Sequence, residues 1–194
     1  EGKLTITNRE EKYEITVVAN SKTETYDGTP KDVSGFETLT YTVDGNAYTV
    51  EGLTASAAGT NAGEYTSRVT GIAVVKDALG NDVTGQFTVK TENGTLTIEK
   101  AKLEITGESD TVEYTGSEQN VTGFKPEGLV SEAHEITGLT HEAKGTLVGE
   151  YIGEFSGEAK VMNGEEDVTG NYEITKTEGK LTITNREEKY EITV

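Results

Sequence analysis

The chain has 194 residues, a net charge of -18 and no cysteine. The acidic balance opposes nucleic-acid phosphates and anionic lipid heads, and without cysteine there is no disulfide, thiolate metal site or thiol nucleophile. Leu, Ile, Val and Phe make up about a fifth of the residues, close to the roughly 20% below which highly charged chains stay disordered. Order is expected because these residues alternate with Thr, Glu and Lys.

In chain order, Leu4 and Ile6 alternate with polar residues. The charged run Asn8–Lys12 follows, and Tyr13, Ile15 and Val17 alternate again. This reads as strand, link, strand. The apolar positions are even before the link and odd after it, so the buried face changes there. The same change separates Leu96 and Ile98 from Leu103 and Ile105. Links this short predict a semi-rigid array.

Leu39 to Val50 is the clearest hairpin pattern, because Asp44-Gly45 takes the positive φ angles of a tight type I′ turn. Closing there sets Val43 opposite Asn46, Tyr41 opposite Tyr48 and Leu39 opposite Val50. Tyr41 and Tyr48 are either a carbohydrate-stacking platform or a core-facing aromatic pair. Gly128 to Ile136 reads as a shorter version with His134 in the Tyr48 place. Asn61-Ala62-Gly63-Glu64-Tyr65 fits the run with which immunoglobulin-like sandwiches tie a tyrosine hydroxyl to nearby backbone; its counterpart has Leu147 in the Asn61 place. Strands are expected over 66–75 and 152–161.

Internal similarity organises the whole chain. Glu1–Val17 and Glu178–Val194 are identical letter for letter, and Tyr26–Phe36 aligns with Tyr114–Phe124. Val50-Glu51-Gly52-Leu53-Thr54 aligns with Ile136-Thr137-Gly138-Leu139-Thr140, and Asp82-Val83-Thr84-Gly85-Gln86-Phe87 with Asp167-Val168-Thr169-Gly170-Asn171-Tyr172. Ile15, Ile105 and Ile192 fall at equivalent places, 90 and 87 residues apart. Such identity reads as one period of a longer repetitive protein plus an overlap. Residues 1–12 are then the end of a preceding repeat and its link, 13–101 and 102–189 two repeat domains, and 190–194 the start of the next. The predicted fold is all-β: two tandem β-sandwich-like, Ig-like domains joined end to end by short links. The alternative is a β-grasp, which needs a helix across its sheet; Glu127–Glu135 is the best stretch for one.

The Tyr26-Asp27-Gly28-Thr29-Pro30 start, Ala62-Gly63-Glu64-Tyr65, and Asp167–Tyr172 leading to Gly179-Lys180-Leu181-Thr182-Ile183 resemble the MBG and YDG repeat domains of large bacterial surface proteins and adhesins. The resemblance implies an extracellular, cell-surface array, with glycan or mucin binding suggested for relatives. Its motifs are turns and strands and carry no catalytic residue.

Candidate chemistry is sparse. His134 and His141 align with Tyr48 and Ala55, so no histidine chemistry is common to the two stretches. Glu64 and Glu150 recur at matching places as a carboxylate pair, but no nucleophile elbow, phosphate loop or zinc pattern is present, and no enzyme activity or cofactor is expected. Asp77, Asn81 and Asp82, with Asn163, Glu165, Glu166 and Asp167, offer hard oxygen ligands for calcium but lack EF-hand spacing; no metal site is assigned. A Lys–Asn isopeptide cross-link is not supported, since Asn171 aligns with Gln86 and Lys22 with Asp110. The expected role is a stalk or spacer holding a distal adhesive domain away from the cell, with neighbouring repeats as partners and a monomeric fragment. The alternative is a weak, multivalent glycan-binding module. A third reading is homophilic pairing through open edge strands. No stretch approaches the roughly 18 apolar residues of a membrane span.

Overall fold

A computed structural model describes residues 2–188, 190 and 191. The chain is all-β with several sheets, and its only helices among the described residues are two single 3₁₀ turns, Thr84–Gln86 and Thr169–Asn171. The helix that a β-grasp requires is not formed at Glu127–Glu135, where a strand end, a turn and a strand start stand instead. Ile192 lies outside the described residues, and the expected equivalence of Ile15 with Ile105 is shifted by two: Ile15 stands opposite Val89 and Leu103 opposite Ile174 in the corresponding parallel ladders, so Leu103 takes the Ile15 place and Ile105 that of Val17. The chain divides into two compact units, Glu1–Thr25 with Thr29–Glu99, and Tyr26–Gly28 with Lys100–Val194.

The first unit contains β1 (Tyr13–Val18), β2 (Lys22–Thr25), β3 (Lys31–Ser34), β4 (Thr40–Val43), β5 (Asn46–Gly59), β6 (Gly63–Asp77), β7 (Phe87–Glu92) and β8 (Gly94–Glu99). The β4–β5 hairpin turns at Asp44-Gly45 with φ of 49° and 78°. Its register is Val43 to Asn46 and Tyr41 to Tyr48, and the Val50 N–H donates to the Leu39 carbonyl at 2.8 Å. β5 continues into a long antiparallel ladder with β6. A bulge at Gly52 and Gly71 interrupts that ladder, both glycines having positive φ and each lacking room for a Cβ against the opposite backbone.

The unit is closed by its ends. β1 runs parallel to β7 over six residue pairs from Tyr13–Phe87 to Val18–Glu92, and β2 runs parallel to β8 over four. The first two and last two strands therefore interlock, each pair divided between two sheets. Ile15, Val17, Val50, Val75 and Phe87 form the buried cluster under β1 and β7. Their burial follows from period-two alternation, which sends every second side chain to one face.

The second unit contains β9 (Ala101–Gly107), β10 (Asp110–Glu113), β11 (Gln119–Thr122), β12 (Phe124–Glu127), β13 (His134–Gly145), β14 (Gly149–Ile152), β15 (Glu154–Asn163), β16 (Glu166–Asp167), β17 (Tyr172–Thr177) and β18 (Lys180–Thr184). β9 is parallel to β17 over six pairs and β10 to β18 over four. The β13–β15 ladder shifts register between Thr137 and Leu139, where Gly138 and Gly157 have positive φ. Ala143, Leu181 and Ile183 are buried together with Val112, Val121, Tyr114 and Tyr151 packed around them.

Two expectations change. The short hairpin over Gly128–Ile136 is absent: β12 pairs antiparallel with β9 instead, Gly128 takes a φ of 102° against the Lys102 carbonyl, and the chain reaches β13 through a turn in which His134 N–H donates to the Ser131 carbonyl at 3.1 Å. The strand over 152–161 is interrupted at Gly153, whose N–H leaves the ladder and donates to the Gly179 carbonyl at 2.8 Å. Between β8 and β9 stands a single residue, Lys100, and the buried phase changes across it, from Leu96 and Ile98 to Leu103 and Ile105.

The β1-to-β2 and β9-to-β10 connections cross the start of the closing strand with no side chain between. A Cβ on Gly94 would overlap the carbonyl of Asn20, and one on Gly179 the carbonyl of Glu108. Serine hydroxyls seal both crossings, Ser21 Oγ accepting the Thr95 N–H at 3.0 Å and Ser109 Oγ the Lys180 N–H at 2.9 Å. Gly94→Ala and Gly179→Ala should each cost their own unit roughly 3 kcal/mol in denaturant titrations. Gly170→Ala, where a Cβ meets nothing within 4 Å, should stay within roughly 0.5 kcal/mol of the parent.

Candidate functional site

Tyr41 and Tyr48 are both half-buried and pack on the Ile15–Phe87 cluster. The Tyr41 hydroxyl donates to the carbonyls of Thr16, at 2.9 Å, and Thr38, at 3.2 Å; burial raises its pKa above the ordinary phenol value. The Tyr48 ring meets Phe87 edge-on with centroids 4.8 Å apart. The two rings thus join hairpin to core, with part of each edge open.

The positions aligned with Tyr48 and Phe87 in the second unit are His134 and Tyr172. They also meet edge-on, at 5.9 Å. His134 Nδ1 and the Tyr172 hydroxyl share a 2.6 Å hydrogen bond, and that hydroxyl accepts the Val130 N–H at 3.1 Å. Burial raises the Tyr172 pKa. A polar pair in one unit therefore occupies the place of an apolar contact in the other.

His141 is fully buried. Its Nε2 accepts the Gly179 N–H at 3.1 Å, so a neutral ring carries its proton on Nδ1. Nδ1 has no hydrogen-bond partner among the described residues. The ring fits because a Cβ on either Gly107 or Gly153 would overlap it. The aligned positions in the first unit are Ala19, Ala55 and Ser67, all buried. Two side chains are thus lost around a third that is enlarged, which keeps the local volume filled. The room for His141 was not visible from that residue alone; the Gly107 and Gly153 exchanges signal it only when read together.

Beside His141, whose ring meets Phe155 at a tilt of 54° with centroids 4.8 Å apart, lies an open concavity of about 410 Å³ lined by Thr122, Phe124, Thr140, His141 and Glu142 among others. It offers one half-buried aromatic ring, hydroxyls and a carboxylate. Glu142 is engaged by Asn120 Nδ2 at 3.2 Å and by Lys144 at 3.8 Å.

The acidic turns bind themselves. Asp77 Oδ1 accepts the N–H groups of Leu79 and Asn81, at 2.9 and 2.8 Å, and Oδ2 the Asn81 side-chain amide at 2.9 Å. The Asn81 amide, then these backbone donors, hold its pKa below the ordinary carboxylate value. Asp82 and Asp167 each accept the N–H of the threonine two residues on, at 3.0 Å, and Thr84 and Thr169 lower their pKa values. Those threonine hydroxyls in turn accept the Val75 and Val161 N–H groups at 2.8 Å. The Asp-Val-Thr-Gly motif is thus an internal clasp from the turn to the ladder. No group of three or more His, Cys, Asp or Glu among the described residues is arranged to hold a metal ion. Glu150 pairs with Lys180 at 2.6 Å on the surface.

The tyrosine runs form the expected bond in both units: Tyr65 donates to the Asn61 carbonyl at 2.8 Å and Tyr151 to the Leu147 carbonyl at 2.9 Å. The acceptor is backbone, so Leu147 serves as well as Asn61. Each ring covers a glycine, Gly59 or Gly145, where a Cβ would overlap it.

No family model, curated protein or solved structure matches the chain. No helix among the described residues is long and apolar enough to cross a membrane.

Replacing Tyr48 with Ala should lower the stability of the first unit by about 3 kcal/mol, read by thermal unfolding. A stable fold that loses only binding to a glycan array would instead assign the ring to a ligand platform.

Proposed function

We propose that this chain is a structural stalk or spacer element of a bacterial surface adhesin, built from two copies of one β-sandwich-like, Ig-like domain, and that it projects a distal binding domain from the cell. The observation that carries the reading is the parallel closure of each unit: β1 with β7 and β2 with β8, β9 with β17 and β10 with β18. Tension along the chain pulls β1 from its start against β7, whose end leads into β8, and pulls β8 from its end against β2, whose start follows from β1. In each parallel ladder the two pulls act at opposite ends, so its hydrogen bonds are loaded together in shear instead of opening one at a time. Copies of one domain are supported by the identical 17-residue segments and by the matching glycine bulges, tyrosine bonds and Asp-Val-Thr-Gly clasps. The surface setting is supported by the resemblance of these motifs to MBG and YDG repeats, and the role is non-catalytic.

A second reading, weak multivalent binding of host glycan or mucin, is favoured by one feature, the concavity of Phe124, Thr122, Thr140 and Glu142. It combines an aromatic face with hydroxyl and carboxylate partners suited to a sugar.

Single-molecule pulling tests the main reading. With handles at the chain ends, each unit should unfold at a higher force than when the first unit is pulled between Lys31 and Thr60. There the antiparallel β3–β5 ladder, with Lys31 opposite Gly59, opens from one end. Equal or lower force through the chain ends would contradict the spacer reading.

A further inference from the structure

The hairpin missing from the second unit leaves a gap in its sheet. In the first unit β4 pairs with Asn46–Thr49 at the start of β5, and the Leu39 carbonyl accepts the Val50 N–H. The aligned strand β13 has no such neighbour. β11 pairs with it only between Glu142 and Gly145, and the Gly123 N–H donates to the His141 carbonyl at 3.1 Å. The chain then turns away as β12 and pairs with β9. From His134 to Thr140, β13 pairs with β15 on one side and, among the described residues, with no strand on the other.

The gap presents backbone and side chains together. Residues two apart in a strand turn their N–H and C=O groups to the same side, so Leu139 directs both groups into the gap, where the His141 carbonyl also points. The concavity of about 410 Å³ lies there, with Leu139 and Thr140 on one wall and Thr122 and Phe124 on the other. The neighbouring edge strand β12 is blunted by Pro126, which has no N–H; β13 contains no proline.

Charge narrows the choice of occupant. The acids of β13 are Glu135 and Glu142, both exposed, and Glu127 and Glu132 are exposed on the chain that leads to it. The cations nearby are engaged or turned elsewhere. Lys144 pairs with Glu142 at 3.8 Å and Lys125 with Glu108 at 3.2 Å, while Lys160 stands opposite Thr137 on β15, across β13 from the gap. A second copy of this chain, with its net charge of -18, is repelled from such an edge, and a basic segment is drawn to it.

We infer that this gap is a docking site for an extended basic peptide. The peptide adds as a strand beside Leu139–His141, sets an apolar side chain against Phe124 and carries Lys or Arg at alternate positions toward Glu135 and Glu142. Binding of this kind does not depend on the spacer role. It places a peptide where the second reading places a sugar, so the test includes both ligands.

The experiment adds a short blocked peptide of alternating lysine and valine to the full chain and follows amide exchange by NMR. The peptide should slow exchange of the Leu139 amide and bind about tenfold more tightly than the same peptide N-methylated along its backbone, which keeps the charge but cannot pair as a strand. Glu135→Gln with Glu142→Gln, both at exposed positions, should weaken binding roughly fivefold at low salt and reduce its salt dependence. Equal binding of the N-methylated peptide would show attraction by net charge alone and overturn the proposal. An unchanged Leu139 amide at saturating peptide would overturn it too. So would a neutral glycan that protects this amide where the peptide does not, which would return the concavity to the sugar reading.

Discussion

Each unit depends on a place where two stretches of backbone cross with no side chain between them: Gly94 against Ala19 and Asn20, and Gly179 against Gly107 and Glu108. The crossing lets the opening strand leave one sheet and enter another while the closing pair does the same alongside it. Both parallel ladders of a unit follow from that step. So does burial of Ile15 and Val17 on one side and Leu96 and Ile98 on the other, because a strand that changed sheets elsewhere would bring its alternate residues to the wrong face. With few large apolar side chains available, the fold relies on such close approach. Backbone contacts at glycine, serine caps on the exposed N–H groups and threonine clasps at Thr84 and Thr169 supply order that a larger core would otherwise provide.

The two units solve one packing problem differently. Ala19, Ala55 and Ser67 fill the space beneath the crossing in the first. Gly107, His141 and Gly153 fill it in the second, with the imidazole accepting the Gly179 N–H directly. The exchange has a local consequence. Gly153 leaves the ladder, so the single long strand β6 corresponds to the separate strands β14 and β15. Likewise the contact of Tyr48 with Phe87 becomes a hydrogen-bonded His134–Tyr172 pair.

Much of this was legible in the sequence where the signal is local. The Asp44-Gly45 hairpin and its register, the phase change of buried residues around Lys100 and the all-β class followed from turn chemistry and period-two alternation. The tyrosine-to-backbone bond was legible too, and it survives Leu147 because no side chain is its acceptor. Pairing partners were not legible. Alternation in Tyr13–Val18 says which face is buried but not that β7, more than seventy residues away, lies parallel beside it. The 128–136 stretch misled because it has no Asp-Gly turn to fix a hairpin, and β12 found β9 instead. The Asp77 and Asp82 turns looked like ligand sets because the same carboxylates that bind calcium also cap local N–H groups; only geometry separates the two uses. Tyr41 and Tyr48 were placed opposite each other correctly, and the structure adds that their rings rest on Ile15–Phe87.

The first two and last two strands close each unit, so that nothing else in it stays folded once they part. Native-state hydrogen exchange tests it most directly. The ladder amides of β1, β7 and β8 should exchange as slowly as those in the middle of β5 and β6, all of them only through global unfolding of the first unit, with the same pattern for β9, β17 and β18. Fast exchange of the terminal strands while the β5–β6 and β13–β15 ladders stay protected would contradict it.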